Sequence, residues 1–132
     1  MTSIDAEFSA SSWTLSGPSH PVTSRGMNLV PFEERISAAA EAGFIGMGFT
    51  EVELAAYRET RSYASLRKQL EDAGVRFVQL ELITNWFSNG EAKAQSDAVR
   101  AQLFEASAEL GADHIKIVGD MSHQHPIEDM VE

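Results

Sequence analysis

Val75-Arg76-Phe77-Val78-Gln79-Leu80-Glu81-Leu82-Ile83-Thr84-Asn85-Trp86 reads as a buried β-strand, and the rest of the chain falls into order around it. Val75 to Ile83 is rich in β-branched, aromatic and aliphatic residues, is too short for an ordinary helix, and is framed by Gly74 and Asn85. Side chains alternate along a strand, so Val78, Leu80 and Leu82 belong to one face and Phe77, Gln79 and Glu81 to the other. The apolar face asks for covering helices, and the glutamine and glutamate then face a cavity, a partner or a site. The plainer reading is a Glu81 that pairs with a basic neighbour inside the fold. Trp86 and Phe87 follow at the strand's C-terminal end, where parallel α/β folds place their ligands.

The same arrangement recurs. Glu41-Ala42-Gly43-Phe44-Ile45, Asp72-Ala73-Gly74-Val75-Arg76 and Glu109-Leu110-Gly111-Ala112-Asp113 each end a helical pattern at glycine and begin a strand at once. Strand and helix alternating in this way is the βαβ rhythm of a parallel sheet. Strands are expected over 8–15, 44–50, 75–83 and 114–118. Helices are expected over about 32–42, 63–73 and 91–110, with the start of a fourth from Ile127. Pro31, Glu33 and Glu34 suit the first turn of the helix at 32, whose stripe is Phe32, Ile36, Ala39 and Ala40. Ser62 suits an N-cap. Residues 51–61 read as a connector with short helical turns. The glycines of Phe44-Ile45-Gly46-Met47-Gly48-Phe49-Thr50 weaken strand propensity and point to close backbone approach. Right-handed crossovers put the helices on one side if the strands follow in order. The pattern fits either a small doubly wound sheet or half of an eight-fold barrel. The first strand leads into Leu15-Ser16-Gly17-Pro18, which is no dinucleotide fingerprint.

Composition narrows the function classes. The chain has 132 residues, 43% hydrophobic and 23% charged, enough for one domain with a core. A formal net charge of −10 argues against a nucleic acid partner, whose phosphates are met by lysine and arginine. There is no cysteine, hence no disulfide framework and no thiolate metal site. No apolar run matches a membrane span and the first residues lack the pattern of a signal peptide, so a cytoplasmic protein without a membrane partner is expected.

Four segments together carry a resemblance: Phe8-Ser9-Ala10-Ser11-Ser12-Trp13-Thr14; Pro31 to Ile36 with Ala38 to Phe44; Gln79-Leu80-Glu81-Leu82-Ile83-Thr84-Asn85-Trp86-Phe87; and Leu110-Gly111-Ala112-Asp113-His114-Ile115-Lys116. They resemble the sugar phosphate isomerases and epimerases of the xylose isomerase-like TIM barrel superfamily. The resemblance implies an α/β fold, a partial (β/α)8 TIM barrel made of the first four βα units, with parallel strands in the order 1-2-3-4. It makes residues 1–132 a single, truncated N-terminal half of a barrel of roughly 250 residues. Family members use a divalent metal, manganese or magnesium, and two glutamates on later strands to move a proton beside a sugar carbonyl. This half alone is expected to hold neither the metal cage nor the catalytic pair. Its share of the site, by the resemblance, is Trp13, Glu53, Glu81 and Trp86, lining the side that meets a sugar or sugar phosphate.

Other features have simpler readings beside the functional one. His123 and His125 form a His-x-His pair that suits a metal clamp or merely a solvated loop. His20 stands where it can reach over a barrel mouth, Asp120 follows the fourth strand, and Glu51 reads as solvated connector. Lys116 within a strand of isoleucines and valine needs a partner, and parity makes that partner Glu81. Three function classes follow: the isomerase or epimerase half; a non-catalytic half-barrel for binding or assembly; and a fragment of an AP-endonuclease-like barrel, which the acidic charge disfavours. Open sheet edges and a bared interior also predict self-association.

Overall fold

Four parallel strands lie side by side in space in their sequence order: β1 (Ser9–Ala10), β2 (Gly46–Thr50), β3 (Phe77–Ile83) and β4 (His114–Ile117). The computed structural model describes residues 6–21, 23–119 and 126–131. Between the strands run α1 (Phe32–Glu41), α2 (Glu51–Arg58), α3 (Tyr63–Asp72) and α4 (Gly90–Leu110). The expected order of parallel strands, 1-2-3-4 with helices between them, is the one observed.

The glycine signals close α1 and α3 as read. Gly43 and Gly74 have φ of +81° and +80°, a conformation that costs glycine little. The next residues, Phe44 and Val75, donate back to Ala39 and Leu70 at 2.9 Å, which satisfies carbonyls that the helix leaves open. Ser62 Oγ caps α3 by accepting from Ser65 N–H at 3.2 Å.

One face of the sheet carries the core. Met47, Phe49, Val78 and Leu80 pack against Ile36 and Ala39 of α1, Leu54 and Tyr57 of α2, Leu66 and Leu70 of α3, and Leu103 and Ala106 of α4. The opposite face is the concave one, and there β2 presents Gly46 and Gly48, with Thr50 at its C-terminal end. A Cβ on Gly46 would stand 2.6 Å from Ser9 Oγ, and one on Gly48 would meet the Glu81 carboxylate. With both side chains absent, Gln79 Nε2 of β3 reaches across β2 and donates to Ser9 Oγ of β1 at 2.7 Å. The close approach expected at these glycines is thus a crossing of side chains over β2.

Four expectations need correction. The first strand is two residues long, not eight. After Ala10 the hydroxyl-rich chain turns into a 3-10 helix, Ser12–Leu15, because local bonds compete with a ladder. Thr14 N–H donates to Ser11 O at 3.1 Å, and Ser16 Oγ to Trp13 O at 3.0 Å. The connector at 51–61 contains a true helix, α2, started by a capping box in which Thr50 Oγ1 accepts from Glu53 N–H and Glu53 Oε2 accepts from Thr50 N–H. Alternation along β3 holds only to Leu80. Against β4 the register runs Leu80↔Ile115 and then Ile83↔Ile117, so β3 carries one extra residue, a bulge. Ile83 therefore enters the core in place of Leu82. Finally, Ile127–Met130 is a 3-10 turn rather than the start of an α-helix. No helix among the described residues is long and apolar enough to cross a membrane.

Candidate functional site

The C-terminal ends of β2 and β3 open into a cleft of about 290 Å³. Thr50 and Glu51 reach it from the β2–α2 junction, Glu81, Leu82, Thr84 and Asn85 from the end of β3, and Gln95 and Ser96 from α4. Trp13, in the 3-10 helix after β1, forms part of the opposite wall with Gly26. That wall is tied to the sheet, because Thr50 Oγ1 donates to Gly26 O at 2.8 Å.

Glu81 sits at the β3 bulge and is 6% exposed. Its Oε1 accepts from Lys116 Nζ of β4 at 3.0 Å. Burying a carboxylate is expensive unless a cation and hydrogen bonds compensate it, and Lys116 supplies both. The ammonium remains partly in water, while Glu81 itself lines the cleft.

Glu51 is the second carboxyl of the cleft. Burial raises its pKa, and the charge of Glu53 adds to the rise. The backbone N–H groups of Glu51, Leu82 and Val52 oppose it without cancelling it. Its own carbonyl accepts from Gln102 Nε2 of α4 at 2.7 Å, which fixes the start of α2 against α4.

No family model matches the chain, and no curated protein matches it. Among solved structures it is similar to a xylose isomerase-like TIM barrel/4-hydroxyphenylpyruvate dioxygenase fusion protein. The TM-score is 0.61 at 21% identity, over 89% of this chain and 17% of that one. The fold is part of a TIM barrel. The cleft therefore lies at the C-terminal ends of barrel strands, the end where enzymes of this fold carry their active sites.

Of the four residues expected to line the sugar-facing side, the partial barrel brings Trp13 and Glu81 to the cleft. Glu53 lies beneath it, 0% exposed, in a buried network. Its Oε1 is 2.5 Å from Arg35 Nη2, a close ion pair whose geometry is not that of a hydrogen bond, and its Oε2 accepts from Ser12 Oγ at 2.7 Å. Arg35 lies over the Phe32 ring, 4.7 Å from its centroid. Burial lowers the Arg35 pKa and Glu53 opposes the fall. Asn28 Nδ2 donates to Ser12 O at 2.8 Å, so the network anchors the segment that carries Trp13. Trp86 packs against the core and meets Phe87 edge-on at 5.0 Å.

His20 is exposed, and its N–H donates to Ser24 Oγ at 3.1 Å. Asp120, His123 and His125 lie outside the described residues. Among the described residues, no three His, Asp or Glu side chains converge as a metal-binding group. Sequence reading missed Glu51 as a cleft residue. The signal was present in Thr50-x-x-Glu53, which starts a helix directly at the end of a strand and so puts residue 51 at the barrel mouth.

Proposed function

We propose that the chain forms the N-terminal part of a sugar phosphate isomerase- or epimerase-like barrel, and that its cleft receives a sugar or sugar phosphate. The observation that supports this reading is the meeting of Trp13 with the Lys116-paired Glu81 in one cleft at the strand ends. A charge-paired carboxylate accepts hydroxyl protons strongly without standing as a lone buried charge. An indole ring offers an apolar face to the C–H face of a sugar. Thr50, Asn85 and Gln95 add neutral donors and acceptors. In the complete barrel these groups would orient a substrate for proton transfer beside its carbonyl.

Calorimetric titration of the chain with D-xylose, D-fructose and D-fructose 6-phosphate tests the reading. Saturable binding of at least one is expected, weakened about tenfold by Glu81→Gln, since a hydrogen bond to a charged group contributes roughly 1.5–3 kcal/mol. Absence of binding by all three contradicts it.

A second reading, a half-barrel that works by assembly, is favoured by the two outer strands. Phe8 beside β1 is 62% exposed and Ile117 on β4 is 60% exposed. Edge pairing between two copies would cover both. Sedimentation at tens of micromolar distinguishes a dimer, expected on this reading, from a monomer.

A further inference from the structure

Among the described residues two carboxyl groups line the cleft, and of these Glu81 alone is paired with a cation. Glu51 is half-buried at the tip of β2, and no lysine, arginine or histidine among the described residues forms an ion pair with it. The groups around it compensate its charge only in part, through the backbone N–H groups of Glu51, Val52 and Leu82. Its own helix offers Glu53, which is engaged by Arg35. From β3 come Glu81 and the Leu82 N–H, and from β4 comes Lys116, engaged by Glu81. Helix α4 presents the neutral Gln95 and Ser96, and the wall after β1 presents Trp13 and Gly26.

We propose that Glu51 is the hydrogen-bond-donating acid of the cleft: its protonated carboxyl donates to a carbonyl or hydroxyl oxygen of a polyhydroxy carbonyl compound, beside a Glu81 that accepts from a neighbouring hydroxyl. Unlike partners suit unlike ends of such a ligand. A carbonyl oxygen can only accept, and of the two carboxyl groups only a protonated one can donate to it. Burial of Glu51 without a cation favours that form, and the direction of its pKa agrees. The pairing of unlike environments on two nearby carboxyls is the usual basis for a donor and an acceptor role. This assignment rests on the sugar-binding reading above and names the residue that would recognise the ligand's carbonyl.

The test titrates D-fructose into the full chain at several values between about pH 4 and pH 8, with the ¹³C shift of the Glu51 carboxyl followed in the same samples. Wild-type affinity is expected to fall about tenfold as that carboxyl ionises, the loss of one good hydrogen bond. Glu51→Gln, which keeps a neutral donor, is expected to hold the low-pH affinity across the range, and Glu51→Ala to bind weakly throughout. If fructose binds equally at every pH while the Glu51 carboxyl titrates, the acid assignment is overturned and sugar binding stands. If no form binds fructose at any pH, sugar binding fails and takes this assignment with it.

Discussion

Lys116 of β4 donates to Glu81 of β3 at 3.0 Å, at the bulge of β3. Parity alone puts both side chains on the concave face, and the bulge lies where Glu81 meets the cleft. Replacing Lys116 with methionine leaves a nearly buried carboxylate without its cation. Because Lys116 is itself partly solvated, the expected loss is moderate, about 1–2 kcal/mol. The double variant Lys116→Met/Glu81→Gln is expected to lose less than the sum of the single changes, as urea unfolding would show.

The Arg35–Glu53 pair is deeper, with both side chains at most 1% exposed. Arg35→Met strands the Glu53 carboxylate in the core and is expected to cost about 3–5 kcal/mol. Arg35→Met/Glu53→Gln should recover a measurable part of that. A single variant as stable as wild type would show that the network contributes little.

Gly48 admits Glu81 to the concave face. A methyl group there meets the Glu81 carboxylate and lies 3.2 Å from Ser11 Cα and 3.3 Å from Ser12 N, where backbone cannot easily give way. Gly48→Ala is expected to destabilise by about 1–3 kcal/mol. It should also displace Glu81, detectable as a shifted Lys116 Nζ resonance.

Glu51 gives stability a pH dependence of a definite sign. Its pKa in the folded state is raised above the ordinary 4.5, so the folded state holds the proton more tightly than the unfolded one. That contribution is fully present below 4.5 and is lost as pH rises through the folded pKa. Glu51→Gln is therefore expected to melt higher than wild type at neutral pH, with the gain shrinking toward pH 4. Thermal melts at the two pH values check it, and an equal difference at both contradicts it.

Much of the fold was legible because its signals are local. Gly43, Gly74 and Gly111 each close a helix before a strand, and parity along β4 named Glu81 as the partner of Lys116. What escaped the sequence depends on contacts distant in the chain. Arg35 lies in a stripe of alanines on α1 and is buried only because Glu53 and the Phe32 ring receive it. The strand expected over 8–15 fails because Ser11, Thr14 and Ser16 find local bonds. The exchange of Leu82 for Ile83 follows from a bulge that only the pairing of β3 with β4 creates. Glu51 looked like solvated connector because the residues that bury it come from β3, α4 and the Trp13 segment.

On the reading proposed above, the cleft between Trp13 and Glu81 receives a sugar. The most direct test of that reading is a ¹⁵N–¹H titration of the chain with D-fructose and D-fructose 6-phosphate. Saturable shifts confined to the Trp13 indole N–H and to the amides of Glu51, Leu82, Thr84 and Asn85 are expected. Shifts that never saturate, or that gather at the opposite end of the strands around Phe8 and Asp113, would contradict it.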